Sequence, residues 1–200
     1  MSRQITREQE AALRAAFRMP AVQTMMSRKS SITNAFVNAI IPVVEPTAAE
    51  IADALEILCM RPDDVRCSYC GDPWTEWDHL RPLVVGRRPT GYISEIGNLV
   101  PSCGKCNQSK GNKGWEAWMR SDAPLAPARR GITDLERRVE CLKAYERWRP
   151  VEPINFAAMV GAEMYAEHWH RLEQAITYMK ECQVFADTLR KRIGEAHRGG

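Results

Sequence analysis

The chain has 200 residues, with 28 Lys and Arg against 25 Asp and Glu and a formal charge of +3, too small a surplus to name a partner by itself. That length buries one hydrophobic core without crosslinks, and the longest apolar stretches, such as 35–44, are interrupted and too short to span a bilayer. The N-terminus, MSRQITREQE, lacks the apolar run of a secretory signal, so a cytoplasmic protein with no membrane segment is expected.

A first helix is expected from Thr6 to about Arg18. Thr6 supplies an N-cap, Glu8 and Glu10 suit the first turn, and Met19-Pro20 ends it. A second should run from about Ser31 to Ile41, stopped by Pro42. A third begins at Thr47, where Thr-Ala-Ala-Glu makes a capping box with Glu50, and continues to Cys59. These elements make a helical N-terminal region over 1–62.

Between 63 and 120 the character changes. Gly71, Pro73, Gly86, Pro89, Gly91 and Gly97 punctuate the segment, and only two short apolar-rich runs remain, 77–85 and 99–101. They can pair as strands around a loop at 86–97, and a helix then starts near Gly104, giving the order ββα. Ser121–Arg130 reads as a linker by composition. In the C-terminal region, 121–200, Thr133 is expected to cap a helix through Trp148, with Leu135, Val139, Leu142 and Tyr145 on one face. Pro150 and Pro153 separate it from a last helix over about 155–196, whose Tyr165, Trp169, Leu172, Ile176, Met179, Cys182, Phe185 and Leu189 recur every three or four residues. That stripe packs either on the protein's own helices or on a second subunit, since such a helix is long for a small globule.

Seven cysteines in a reducing compartment need explaining. Cys59, Cys141 and Cys182 sit among apolar helical neighbours and are expected to be buried small hydrophobes. Cys67, Cys70, Cys103 and Cys106 form two Cys-x-x-Cys turns. Zinc prefers such a tetrahedral soft set, and four sulfurs leave no open position, so the zinc should be structural. A [4Fe–4S] cluster or a redox dithiol is the alternative. A zinc nucleobase deaminase is excluded, because His79 is followed by Leu80-Arg81 rather than by the required x-Glu. The fold class is therefore mainly α with a small ββα zinc-binding module and helical arms at both ends.

Charge is concentrated near those sulfurs. From Leu80 to Arg120 seven basic residues, Arg81, Arg87, Arg88, Lys105, Lys110, Lys113 and Arg120, face two acidic ones, Glu95 and Glu116. This local surplus exceeds that of the whole chain and suits an anionic polymer.

Inside the sulfur bracket lie Asp78-His79, then Asn98-Leu99, then Asn107 directly after Cys106, with Lys110 one turn on. As a set these residues resemble the HNH (ββα-metal, His-Me finger) endonuclease family in its four-cysteine zinc branch. The resemblance covers 67–113, and the third family position, often histidine, is Asn107 here. It implies that His79 is the general base, that Asn98 orients the imidazole by accepting from its other ring N–H, and that Asp78 and Asn107 ligate a catalytic Mg²⁺, with Mn²⁺ as the alternative ion. The implied activity is hydrolysis of double-stranded DNA, leaving 5′-phosphate and 3′-hydroxyl ends. Arg81, Arg87, Arg88, Lys105 and Lys110 are candidates for phosphate contacts. His168 and His170 lie two apart on a helix and do not form a metal pair. Trp74, Trp77, Trp115 and Trp118 are expected to pack around the zinc module.

The chain resembles in particular a type II restriction enzyme acting as a homodimer, since one module cuts one strand. The rival readings are a structure-specific or nicking nuclease, a non-catalytic zinc-ribbon DNA-binding module, and a protein-interaction module built on the helices.

Overall fold

Capping chemistry fixes where the first helices begin. In a computed structural model, which describes residues 5–199, helix α1 spans Arg7–Ala16 behind a capping box between Thr6 and Gln9. Residues 1–4 and 200, the outermost residues of the two helical regions, lie outside the described residues. A 3₁₀ turn at Met25–Arg28 leads into α2, Lys29–Ala39, which starts and ends two residues before the expected bounds. Helix α3, Ala48–Ile57, has the expected box: the Glu50 N–H donates to the Thr47 hydroxyl at 3.2 Å, and Thr47 N–H returns a bond to Glu50 Oε2 at 2.8 Å.

The central segment contains four short strands rather than two. β1 is Glu76–His79, β2 Val84–Val85, β3 Arg88–Pro89 and β4 Leu99–Ser102. β1 pairs antiparallel with β4, placing Asp78 opposite Val100 and His79 opposite Leu99. The single strand expected over 77–85 is broken after His79, and its last residues join β3 in a separate hairpin. Gly86 and Arg87 form the tip of that hairpin with φ of 59° and 63°, the two positive values a two-residue type I′ turn demands. Helix α4, Gly104–Lys110, follows β4 at once and completes a ββα unit.

Helices α5, Trp115–Met119, and α6, Leu135–Trp148, then close over the module. Two expectations here are corrected. The segment 121–130 is no free linker: Ala126 is fully buried, and Arg130 reaches back to Asp72 at 2.7 Å. Asp134, not Thr133, sits at the N-cap of α6, and it makes no side-chain cap bond. The expected last helix is two helices, α7, Phe156–Val160, and α8, Ala162–Gly199. Gly161, at φ 88°, makes the break.

The chain divides into two compact units. In Ser31–Glu173, one core joins the four zinc-motif cysteines to Tyr69, Leu80, Val100, Trp115, Trp118 and Met119 of the module and to Leu58, Val139, Leu142 and Tyr145 of the flanking helices. Tyr145 of α6 donates its hydroxyl to the carbonyls of Ile96 and Leu99, at 2.5 and 3.0 Å, and so fastens the entry to β4. The α8 residues Trp169 and Leu172 are buried in this unit. The second unit comprises Met1–Ser30 with Gln174–Gly200. It holds few buried apolar groups: Leu13 and Phe17 near α1 are exposed, as are Tyr178, Phe185, Leu189 and Ile193 on α8.

The three remaining cysteines do not match their expected burial. Cys59 is exposed, whereas Cys141 and Cys182 are half-buried. Among the described residues, no helix is long and apolar enough to cross a membrane.

Candidate active site

The sulfurs organise the site from below. Cys67, Cys70, Cys103 and Cys106 are all buried, and their Sγ atoms lie within 4.8 Å of one another. Cys70 and Cys103 approach to 3.7 Å, close to the edge of about 3.8 Å required by a tetrahedron with Zn–S bonds of about 2.3 Å. The set can therefore hold a metal such as zinc. Hydrogen bonds among the Cys67, Cys70 and Cys106 sulfurs hold the Cys67 pKa down and push that of Cys106 up, so the sulfurs share their protons as one set. Arg130 directs Nη1 at Cys106 Sγ from 3.6 Å, a cation placed against the sulfur charge. Arg138 of α6 donates to the Cys67 carbonyl at 3.3 Å and lies where a Cβ on Gly71 would have to go. The knuckle at 67–70 is thus held from two sides.

β1 presents its residues alternately. On one face, Glu76 and Asp78 meet α4. Asn107 Nδ2 donates to Glu76 Oε2 at 2.5 Å, and the Lys110 ammonium sits 3.1 Å from Asp78 Oδ2. Asp78 is only 5% exposed and Lys110 1%. Tyr69 donates its hydroxyl to Asp78 at 2.7 Å, while Lys110 also donates to the carbonyls of His79 (2.8 Å) and Gly111 (3.2 Å). Burial raises the Asp78 pKa above the usual carboxylate value, against the pull of Lys110 and Tyr69. Burial likewise raises that of Tyr69, with the Asp78 charge adding to it.

His79 lies on the opposite face. Its Nε2 pairs with the Ser94 hydroxyl at 2.9 Å. Burial and the nearby Lys110 charge lower the imidazole pKa to about 4, so the ring is neutral at pH 7. Ser94 is itself fixed by the chain after α2: the Val44 N–H donates to its carbonyl at 2.8 Å, and its own N–H donates to Pro42 at 3.1 Å.

Several sequence-based placements change. Asn98 lies in the 3₁₀ turn Ile96–Asn98 before β4, not on the strand. Its side-chain oxygen accepts from Arg81 N–H at 2.7 Å, and its amide donates to the carbonyls of Arg81 and Ile93. It therefore braces both ends of the loop that carries Ser94 and does not accept from the imidazole. Lys110 is no surface cation, because three internal acceptors take its ammonium. Arg81 forms an ion pair with Glu146 at 2.6 Å, and the Arg88 guanidinium lies 3.9 Å above the Trp169 ring. Arg87 and Lys105 remain exposed. Trp115 and Trp118 are buried as expected, but Trp74 and Trp77 are exposed, with ring centroids 5.8 Å apart.

Four residues at the site were not singled out from sequence. Glu76 had a readable signal, two positions before Asp78 and so on the same strand face. Tyr69 and Arg130 had only the vicinity of the cysteines. Ser94 is brought to His79 by tertiary contacts with 42–44, which no local pattern announces.

Residues 67–113 match the HNH endonuclease family. The chain is also 35% identical, over 74 residues, to the CRISPR-associated endonuclease Cas9 of Corynebacterium diphtheriae. That alignment covers 35% of this chain and 6% of the relative, so the likeness does not extend to Cas9 as a whole. No solved structure gives a significant match.

Proposed function

We propose that the protein is a metal-dependent HNH endonuclease that hydrolyses DNA phosphodiester bonds, leaving 5′-phosphate and 3′-hydroxyl ends. The observation that carries this reading is a neutral imidazole on one face of β1, backed by an opposite face whose carboxylates, Glu76 and Asp78, meet Asn107 and Lys110 of α4.

His79 takes a proton from the water that attacks phosphorus. Its depressed pKa keeps it free to accept that proton, and Ser94 holds Nε2 while the attack proceeds. Asn98 acts through the backbone by holding the 81–93 loop. Asp78 and Asn107 would hold Mg²⁺. A carboxylate has about four lone-pair directions, and Tyr69 and Lys110 do not use them all. Asn107 gives its nitrogen to Glu76, which leaves its oxygen as the donor for a hard cation. The bound ion would stabilise charge developing at phosphorus and on the leaving 3′-oxygen. The four-sulfur zinc site is structural. Arg87 and Lys105 contact DNA phosphates, and Arg81 and Arg88 support the surface between them through Glu146 and Trp169.

The finer reading is a type II restriction enzyme working as a homodimer. Tyr178, Phe185, Leu189 and Ile193 fall on one exposed stripe of α8, which supports pairing with a second copy. A plasmid digested with Mg²⁺ should yield defined linear fragments. Nicked circles alone would favour a nicking nuclease, for which one module per chain suffices. An uncut plasmid bound by zinc-loaded protein would leave only a DNA-binding module.

A further inference from the structure

Outside the zinc cluster, two sulfurs from distant parts of the chain meet. Cys59, just past the end of α3, and Cys141, on α6, lie 3.4 Å apart across 82 residues of sequence. We propose that Cys59 and Cys141 are a disulfide-forming dithiol, oxidised by small peroxides, that clamps together the two helices bracketing the HNH module.

Four features support the assignment. Cys59 is exposed whereas Cys141 is half-buried, the arrangement of an attacking and a resolving thiol. Burial and the Cys59 contact raise the Cys141 pKa, against the pull of Arg137 and Arg138. Cys59 also has φ of 56°, a left-handed conformation that favours glycine, so a cysteine occupies a position where a smaller residue would be less strained. Finally, both sulfurs line an open cleft of about 120 Å³ edged by Asp64, Arg66, Asp134 and Arg138, large enough for peroxide.

The chemistry balances with hydrogen peroxide as oxidant. The Cys59 thiolate attacks one peroxide oxygen; an S–O bond forms, the O–O bond breaks, and the hydroxide that leaves takes up the proton the thiol released, giving water. The Cys141 thiolate then attacks Cys59 Sγ, the S–S bond forms, the S–O bond breaks, and a second hydroxide departs and takes up the Cys141 proton as water. Two thiols have lost two electrons and two protons. The loop so closed contains the whole of residues 67–113, the segment that matches the HNH family.

Trypsin separates the pair cleanly, because Arg61-Pro62 resists cleavage and the Cys59 peptide, 30–66, ends before Cys67. The test treats the reduced full-length protein with hydrogen peroxide, blocks remaining thiols with iodoacetamide, and maps the tryptic peptides by mass spectrometry. The expected result is peptide 30–66 joined to 139–143, two hydrogens lighter than the separate peptides and released by dithiothreitol. Oxidised wild type should also melt at a higher temperature than reduced, a shift that Cys59→Ser abolishes. Recovery of Cys59 and Cys141 as separately alkylated peptides would overturn the proposal, as would crosslinks scattered over all seven cysteines.

Discussion

At His79 burial and a neighbouring charge act together to set the protonation state. Desolvation and the Lys110 ammonium both disfavour imidazolium, and the pKa falls from 6.5 to about 4. The unfolded chain takes up this proton as pH falls through 6.5 while the folded chain does not, so the stability His79 contributes is complete above 6.5 and is lost as pH falls towards 4. Proton-detected titration of the His79 ring should give a midpoint near 4, and one near 6.5 would mean that the ring is solvated. Lys110 makes the companion case. A buried ammonium paired with Asp78 is costly to half-remove, so Lys110→Met should destabilise the fold by about 3 kcal/mol or more, and adding Asp78→Asn should recover part of that loss. Thermal melts of the two variants check this. A Lys110 that merely touched phosphate would leave stability unchanged and reduce the salt slope of DNA binding by about one.

At the scale of elements, the ββα unit has little apolar material of its own. β1 and β4 are four residues each, and the sulfurs form part of the core that α6 covers. If the sulfurs hold a metal such as zinc, its removal with a chelator should unfold this segment, and Trp118, edge-on to Tyr69 with centroids 5.2 Å apart, should report the change in fluorescence. A spectrum unaltered by chelation would contradict a metal-held module. Spacing alone made the sulfur set legible, because two Cys-x-x-Cys turns leave few geometries. The N-cap at Thr6 and the capping box at Thr47 were legible in the same way, since each is a local hydrogen-bond pattern. The break after His79 was not, because Leu80–Val85 has the apolar content of a strand and only tertiary pairing separates it. Nor was the bracing role of Asn98: sequence places an amide near the imidazole but does not say which backbone groups reach it first. The segment 121–130 looked like a linker because composition does not reveal that Arg130 is drawn to Asp72 and Cys106.

Across the molecule, the helical arms exceed what a phosphodiester site requires. α8 continues far beyond the buried Trp169 and Leu172, and Phe185 is 66% exposed on it. An apolar stripe of this kind suits a partner surface. The homodimer reading predicts that Phe185→Glu with Leu189→Glu yields a monomer by sedimentation at micromolar concentration, with zinc content retained and double-strand breaks replaced by nicks. Wild type that sediments as a monomer would contradict it.

The central claim is that one imidazole on a zinc-held finger performs the proton transfer. The most direct measurement is the rate of plasmid cleavage with Mg²⁺ for wild type and His79→Ala, each with metal content determined. General-base catalysis predicts a fall of about 10²-fold or more for the variant, with bound zinc and melting temperature close to those of wild type. A zinc-loaded, folded His79→Ala that cleaves at the wild-type rate would contradict the account.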